Sequence, residues 1–343
     1  MSVCIQGIGL ALPANWIRQA DAAELTSHFS TRGDDGLRML KALFRKTGIR
    51  KRHSVLLECP EESVRQSFFP AALNGERGPG TAERMAQYEA HIGGIAFESA
   101  QQALYESRVE ADTITHLVTA SCSGFSAPGM DCELISRLNM SKDVRRVHIG
   151  FMGCYAALNA LAVAGAFCEA DHRAHVLVCC AELCSLHMQY GWERNWVMGN
   201  SLFADGAASA IVSSQDGSDS TQWKIRATGS AILDNTRDAI QWRIGNNGFE
   251  MHLSPDVPNL VKTHLRKYLE NFLHEHDLRL EDIKSWAIHP GGPKVIQSVQ
   301  ESIQLHDADI AVSQGVLADC GNMSSPTLLF IMRRLMDQNA PRP

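Results

Sequence analysis

The chain has no cysteines spaced two residues apart, no excess of basic residues and no basic lead at its start. Each absence removes a class of function. Structural zinc sites and thioredoxin-like motifs need closely paired cysteines, so a metal site is not expected and the ten cysteines read as reduced thiols in a cytoplasm. Most of them, such as Cys179 and Cys180, sit in apolar runs suited to core packing. Acidic residues (38) slightly outnumber basic ones (32), which argues against nucleic acid or a membrane surface as partner. The opening run Met1 to Leu10 is interrupted by Gln6 and reads as a strand rather than a signal peptide.

What is present is a chain of 343 residues, long enough for two domains or one duplicated fold. Its organising stretch runs from Gly150 to Phe167. A strand-like segment, Val144 to Ile149, ends at Gly150, and after Cys154 an Ala/Leu/Val pattern continues without charge until Glu169. A helix apolar on all sides belongs in a core or a membrane. This run approaches the ~18 residues that flag a span, but its Gly and Ala content and the central Asn159 suit a core helix, so no membrane span is expected. In the first turn of that helix, Cys154 would meet unpaired N–H groups and the positive end of the helix dipole, which favour the nucleophilic thiolate.

Around this stretch the pattern alternates between strands and helices. Strands are expected at 1–12, His116–Ala120, His175–Cys180 and up to Val212, and helices at Ala20–Phe29, Glu83–Ser107 and up to Leu138, with a loop-rich excursion over 58–82. Arg38 to Lys51 is amphipathic and basic; a solvated helix face is the ordinary reading, a landing site for cofactor phosphates the functional one. A polar, turn-rich stretch from Gln215 to Ser220 divides the chain into halves 1–215 and 216–343. The second half repeats the order of the first. Trp286 to His289 reads as a strand entering Gly291-Gly292-Pro293, a helix follows to Ile303, and a further strand leads to Gly321-Asn322 and a last helix, Thr327–Met336. The interval from Gly124 to Gly153 equals that from Gly292 to Gly321. A duplicated α/β domain would put Cys154 and Asn322 at matching helix starts and His289 at a strand end, where α/β folds hold ligands.

The runs Gly153-Cys154-Tyr155-Ala156-Ala157-Leu158-Asn159, Leu202-Phe203-Ala204-Asp205-Gly206-Ala207-Ala208, His289-Pro290-Gly291-Gly292-Pro293 and Gly321-Asn322-Met323-Ser324-Ser325 resemble the type III polyketide synthases, the chalcone-synthase-like group of thiolase-fold condensing enzymes. The resemblance spans essentially the whole chain and is weakest over 53–85. It implies a thiolase-like, duplicated αβαβα layered α/β fold, a homodimer, and a catalytic Cys154, His289 and Asn322. By the same resemblance Cys154 carries a starter acyl group, malonyl-CoA supplies each extension by decarboxylation, and CoA thioesters are substrates with no further cofactor. Neutral donors suit the developing enolate, and Asn322 with the imidazole N–H of His289 supplies them; a charged His289 would also help hold Cys154 as thiolate. The loop Phe125 to Gly129 is expected to reach the neighbouring subunit's pocket.

The pocket departs from the plant pattern. Phe203 matches one of two gating phenylalanines, and Met251 stands for the other. Cys122, Cys184 and His187 replace threonines, Trp242 replaces a glycine, and Ser324 completes the wall. Glu182 to His187 and Trp242 to Gly245 look like bacterial members that make alkylpyrones or alkylresorcinols from fatty acyl-CoA. Lys46 aligns with a CoA-phosphate residue, and Arg45 is a substitute for another. Two rivals remain: a ketoacyl synthase III-like enzyme performing a single condensation, and a non-catalytic thiolase-fold partner subunit.

Overall fold

Strands that are apolar on both faces must be covered on both, and the chain meets this with one sheet between helical layers. The structure is a computed structural model that describes residues 2–30, 33–58, 64–72, 77–215 and 223–338. In chain order it forms β1 (Ser2–Ala11), β2 (Trp16–Arg18), α1 (Gln19–Ser30), α2 (Gly33–Lys46), β3 (Lys51–His53), α3 (Thr81–Ser107), β4 (His116–Ser121) and α4 (Met130–Arg137). There follow β5 (Arg145–Gly150), α5 (Ala156–Ala170), β6 (His175–Leu183), α6 (Arg194–Leu202), β7 (Asp205–Gln215) and β8 (Trp223–Lys224). The remaining elements are β9 (Ile240–Gly245), β10 (Gly248–Leu253), α7 (Val257–His274), α8 (Pro293–Ile303), α9 (Asp307–Cys320) and α10 (Thr327–Asp337).

Six strands join in the order β5-β4-β6-β7-β1-β8. β4 runs parallel to both β5 and β6, and the remaining pairs are antiparallel. β4 is buried throughout and β6 after its first residue, as their unbroken apolar runs require. α3 covers one face, so closely that a Cβ on Gly9 would lie 2.1 Å from the Ser99 carbonyl oxygen; α5 and α10 cover the other. A further apolar cluster beyond them joins α7, α8 and α9. The C-terminal ends of β4, β5 and β6 therefore open on the same side, beside the turn that starts α10.

Two expectations change, and the reading of the apolar run after Cys154 as a core helix is kept. The stretch Trp286 to His289 forms no strand among the described residues, and the Ile288 N–H bonds the Ser313 hydroxyl at 3.1 Å instead. The strand expected ahead of Gly321 is the helix α9. Its buried residues Ile310, Ser313, Val316, Leu317 and Cys320 recur at helical spacing, and the Asp309 carboxylate accepts the His306 N–H at 2.8 Å at its start. Lastly, Gly153–Ala170 is apolar and long enough to cross a membrane by composition, yet α5 buries Ala156, Ala157, Ala160, Leu161, Ala164, Gly165 and Cys168 in the chain's own core while Tyr155 and Leu158 stay exposed. Residues 216–220 of the expected boundary, and parts of the 58–82 excursion such as Pro60 and Asn74-Gly75, lie outside the described residues.

Candidate active site

Cys154 stands where β5 hands over to α5. Phe151 and Gly153 both take positive φ, +55° and +68°, and reverse the chain into a single 3-10 turn, Gly153–Tyr155. Tyr155 is the cap of α5, so Cys154 lies ahead of the helix rather than in its first turn. The expected lowering of its thiol does not occur. Burial pushes it up to about 11, and the nearby Glu182 carboxylate adds to the shift; hydrogen bonding from the Ser324 hydroxyl and the Asn322 amide opposes both and loses.

Asn322 is fixed from three directions. Its N–H bonds the Leu202 carbonyl at 2.9 Å, its own carbonyl accepts the Ala204 N–H at 2.9 Å, and its side-chain Oδ1 accepts the Ser324 N–H at 2.8 Å. With Oδ1 occupied, the face the amide turns to the sulfur is its NH₂, a neutral donor. Left-handed turns at Gly321 (φ +74°) and Ser324 (φ +61°) bring this about. His289 has both ring nitrogens buried with no hydrogen-bond partner among the described residues, and burial pulls its pKa down to about 4. It is therefore neutral at physiological pH, and the resting cation expected beside Cys154 is absent: burial favours the uncharged form of both groups.

Glu182, at the end of β6, is the polar centre that sequence reasoning missed. It is fully buried, and its carboxyl group accepts from Cys122 N and Ser123 N (both 2.9 Å), Ser123 Oγ (2.6 Å) and Ser325 Oγ (2.7 Å), with Ser121 Oγ and Cys122 Sγ at 3.3 Å. A lone acid ending an otherwise apolar strand was the available signal. Cys122 and Ser324 belong to this network, their side chains 3.3 Å apart, and burial next to Glu182 raises the Cys122 thiol well above its ordinary value.

Cys184, His187, Phe203, Trp242 and Met251, all expected pocket residues, line one cavity of about 40 Å³ together with Phe249. His187 is pinned at both nitrogens: Nε2–H donates to the Ser123 carbonyl at 2.6 Å and Nδ1 accepts the Phe249 N–H at 2.9 Å. Its ring stacks on Phe249 at 4.1 Å, and burial with the Arg84 charge lowers its pKa to about 3. Trp242 meets His187 edge-on at 5.4 Å and donates its indole N–H to the Cys122 carbonyl at 2.7 Å. Phe249, also missed, shares a face with Met251 by the two-residue period of β10.

A larger cleft of about 620 Å³ reaches the Gly291-Gly292-Pro293 turn that follows His289. Met39, Leu43, Trp192 and Leu253 line its apolar body, and Lys46, Arg194 and Lys294 contribute cations that make no ion pair among the described residues. Lys46 lines this cleft, whereas Arg45 does not. Arg194 and Lys294, two isolated cations in unremarkable contexts, gave no signal in the sequence.

Residues 2–216 match the N-terminal domain of the chalcone and stilbene synthases, and residues 224–342 match their C-terminal domain. The chain is 31% identical over 340 residues to the alpha-pyrone synthesis polyketide synthase-like Pks18 of Mycobacterium tuberculosis, covering 97% of this chain and 84% of the relative. It is 30% identical over 341 residues to the 1,3,6,8-tetrahydroxynaphthalene synthase of Streptomyces peucetius subsp. caesius, covering 99% and 87%. The solved structure of PKS-I from the brown alga Ectocarpus siliculosus is similar at a TM-score of 0.88 and 26% identity, covering 98% of this chain and 90% of that one.

Proposed function

The chain belongs to the chalcone and stilbene synthase family and is a type III polyketide synthase, an acyltransferase of thiolase-type fold; within that class we propose that Cys154, His289 and Asn322 are the reacting groups and that the starter is a medium or long fatty acyl-CoA. Members of the family condense acyl-CoA with malonyl-CoA. In the proposed sequence the Cys154 sulfur attacks the starter thioester, its proton passes to His289, and CoA leaves with a proton. Because burial keeps both groups neutral at rest, that transfer accompanies the attack. A malonyl thioester next loses CO₂. The enolate oxygen meets the Asn322 NH₂ and the imidazole N–H of His289. The carbanion attacks the acyl group, leaving the extended chain on CoA and expelling Cys154 as thiolate, which takes a proton from water or reacts again with the chain on CoA for another round.

The observation that carries this reading is the locked Asn322 amide, whose oxygen is taken by the Ser324 N–H and whose donor side faces Cys154. The cleft with Lys46, Arg194 and Lys294 supports CoA thioesters as the substrates, since phosphates seek such cations. No further cofactor enters the proposed steps. A cytoplasmic location goes with the reading, as Cys122, Cys154, Cys179, Cys180, Cys184 and Cys320 are free thiols. A homodimer goes with it too: Phe125, Phe151, Met152, Tyr155 and Leu158 form an exposed apolar patch next to the open edge of β5, and a second copy would cover it. An active monomer in sedimentation at assay concentration would exclude that part.

The fatty starter rests on an apolar, deformable wall and on the alpha-pyrone relative. The cavity of about 40 Å³ has little room, so a chain must displace Met251 and Met188, which both line it, and methionine yields easily. A well-fitted channel gains about 0.8 kcal/mol per CH₂, about fourfold in kcat/KM per carbon until full. A series of acyl-CoA starters from acetyl to palmitoyl, with masses of the pyrone or resorcinol products, tests this. A flat or falling profile, or preference for an aromatic ester, contradicts it; a single condensation favours the ketoacyl-synthase-like alternative.

A further inference from the structure

Arg52, on β3, is a buried guanidinium with no ion pair among the described residues. Burial lowers its pKa only to about 10, so it remains a cation. The Asp205 carboxylate favours its charge, and the end of α6 supplies its hydrogen-bond acceptors. One of its terminal nitrogens donates to the Asn200 carbonyl at 2.7 Å and the Phe203 carbonyl at 2.8 Å, at the helix terminus where carbonyls lack partners and the dipole is negative.

The Asn200 carbonyl is the one that the Ala204 N–H would take if α6 continued for another residue. Instead that N–H turns to the Asn322 carbonyl at 2.9 Å. Arg52 thus occupies the acceptor that Ala204 gives up in order to hold Asn322. Its aliphatic stem makes the second contact. Gly321, directly before Asn322, takes a left-handed φ of +74°, and a Cβ there would lie 2.9 Å from Arg52 Cγ and 3.0 Å from Ala204 Cβ. Both sides of the peptide that presents the Asn322 amide therefore depend on one arginine.

We propose that Arg52 is the positioning residue for Asn322 in malonyl decarboxylation, an inference that rests on the role proposed for Asn322. Without the guanidinium, the Asn200 and Phe203 carbonyls are left bare in the interior, and the Ala204 N–H gains a competing partner one turn back. The amide then loses its register against Cys154. A misplacement of about 1 Å at a reacting group costs about a hundredfold. The loss falls mainly on the enolate-forming step, because Asn322 contributes to acylation only one weak hydrogen bond at the Cys154 sulfur.

The test compares Arg52→Met, Arg52→Lys and Gly321→Ala with Asn322→Asp and the parent chain, reading steady-state CO₂ release from malonyl-CoA and single-turnover acylation of Cys154 by intact mass. Arg52→Met is expected to lower the decarboxylation kcat about a hundredfold, with KM for malonyl-CoA and the acylation rate within about threefold. Arg52→Lys, which retains charge and donors, restores part of the loss. Gly321→Ala strains the same contact without baring a carbonyl and should show the same selective loss, so the proposal stays testable should Arg52→Met not fold. Equal loss of both half-reactions in the Arg52 and Gly321 variants, or no loss in either, overturns the positioning role. If Asn322→Asp alone abolishes decarboxylation, the site reading stands and only the Arg52 inference falls; if Asn322→Asp decarboxylates normally, the site reading itself has failed.

Discussion

Replacing Asn322 by Asp changes one atom type at a position 2% exposed, and the structure allows the consequence to be sized. One carboxylate oxygen inherits the Ser324 N–H at 2.8 Å. The other takes the place of the NH₂ that faces Cys154. Loss of one oxyanion donor costs about a hundred- to a thousandfold. A carboxylate about 4 Å from the developing enolate adds a repulsion of about 4 kcal/mol at an effective dielectric of about 20. The decarboxylation rate is therefore expected to fall at least about a thousandfold. Acylation of Cys154 should fall far less, since the thioester carbonyl can still be attacked. The assay follows ¹⁴CO₂ from malonyl-CoA next to the mass of Cys154 after a pulse of acyl-CoA. Decarboxylation within tenfold of the parent, with acylation intact, would refute the donor argument.

Two further outcomes follow from groups around the site. His187 has a folded pKa of about 3 against about 6.5 when unfolded, so as pH falls below 6.5 the unfolded chain takes up the proton first and stability drops; at pH 5 this amounts to about 2 kcal/mol relative to pH 8. Urea unfolding of the parent and His187→Gln at both pH values should show that share of the acid sensitivity vanish in the variant, and an unchanged difference would mean that His187 is not held neutral. Lys46→Ala should raise KM for malonyl-CoA about tenfold, the loss of one charge-assisted hydrogen bond, while leaving malonyl N-acetylcysteamine, which carries no phosphate, unaffected. Arg45→Ala should alter neither, and an equal effect of Lys46→Ala on both thioesters would remove Lys46 from phosphate binding.

The sequence carried the site's skeleton because its parts are local: a glycine turn before Cys154, another after His289, a third before Asn322, each at the end of a recognisable apolar run. It did not carry the ionisation of Cys154, since that depends on burial by distant segments and on Glu182, whose donors come from residues 121–123 and 325. The apparent repeat of the two halves misled at α9. Symmetry with the first half called for a strand, while the spacing of Ile310, Ser313, Val316 and Leu317 was helical, and the local period won. α5 showed the opposite limit: a run apolar all round predicts full burial, but only one face is buried within the single chain. Pocket residues were legible as a set only through the family resemblance, and the role of His187 was not. Its two hydrogen bonds go to Ser123 and Phe249, far away in sequence.

The central claim is that Cys154 carries the growing chain. Intact-protein and peptide mass spectrometry after incubation with a fatty acyl-CoA, with and without malonyl-CoA, reads it directly. The account predicts an acyl mass on the peptide containing Cys154, heavier species when malonyl-CoA is present, and neither adduct nor product from Cys154→Ala. An acyl group mapped to Cys122 or Cys184, with Cys154→Ala still forming product, would contradict it.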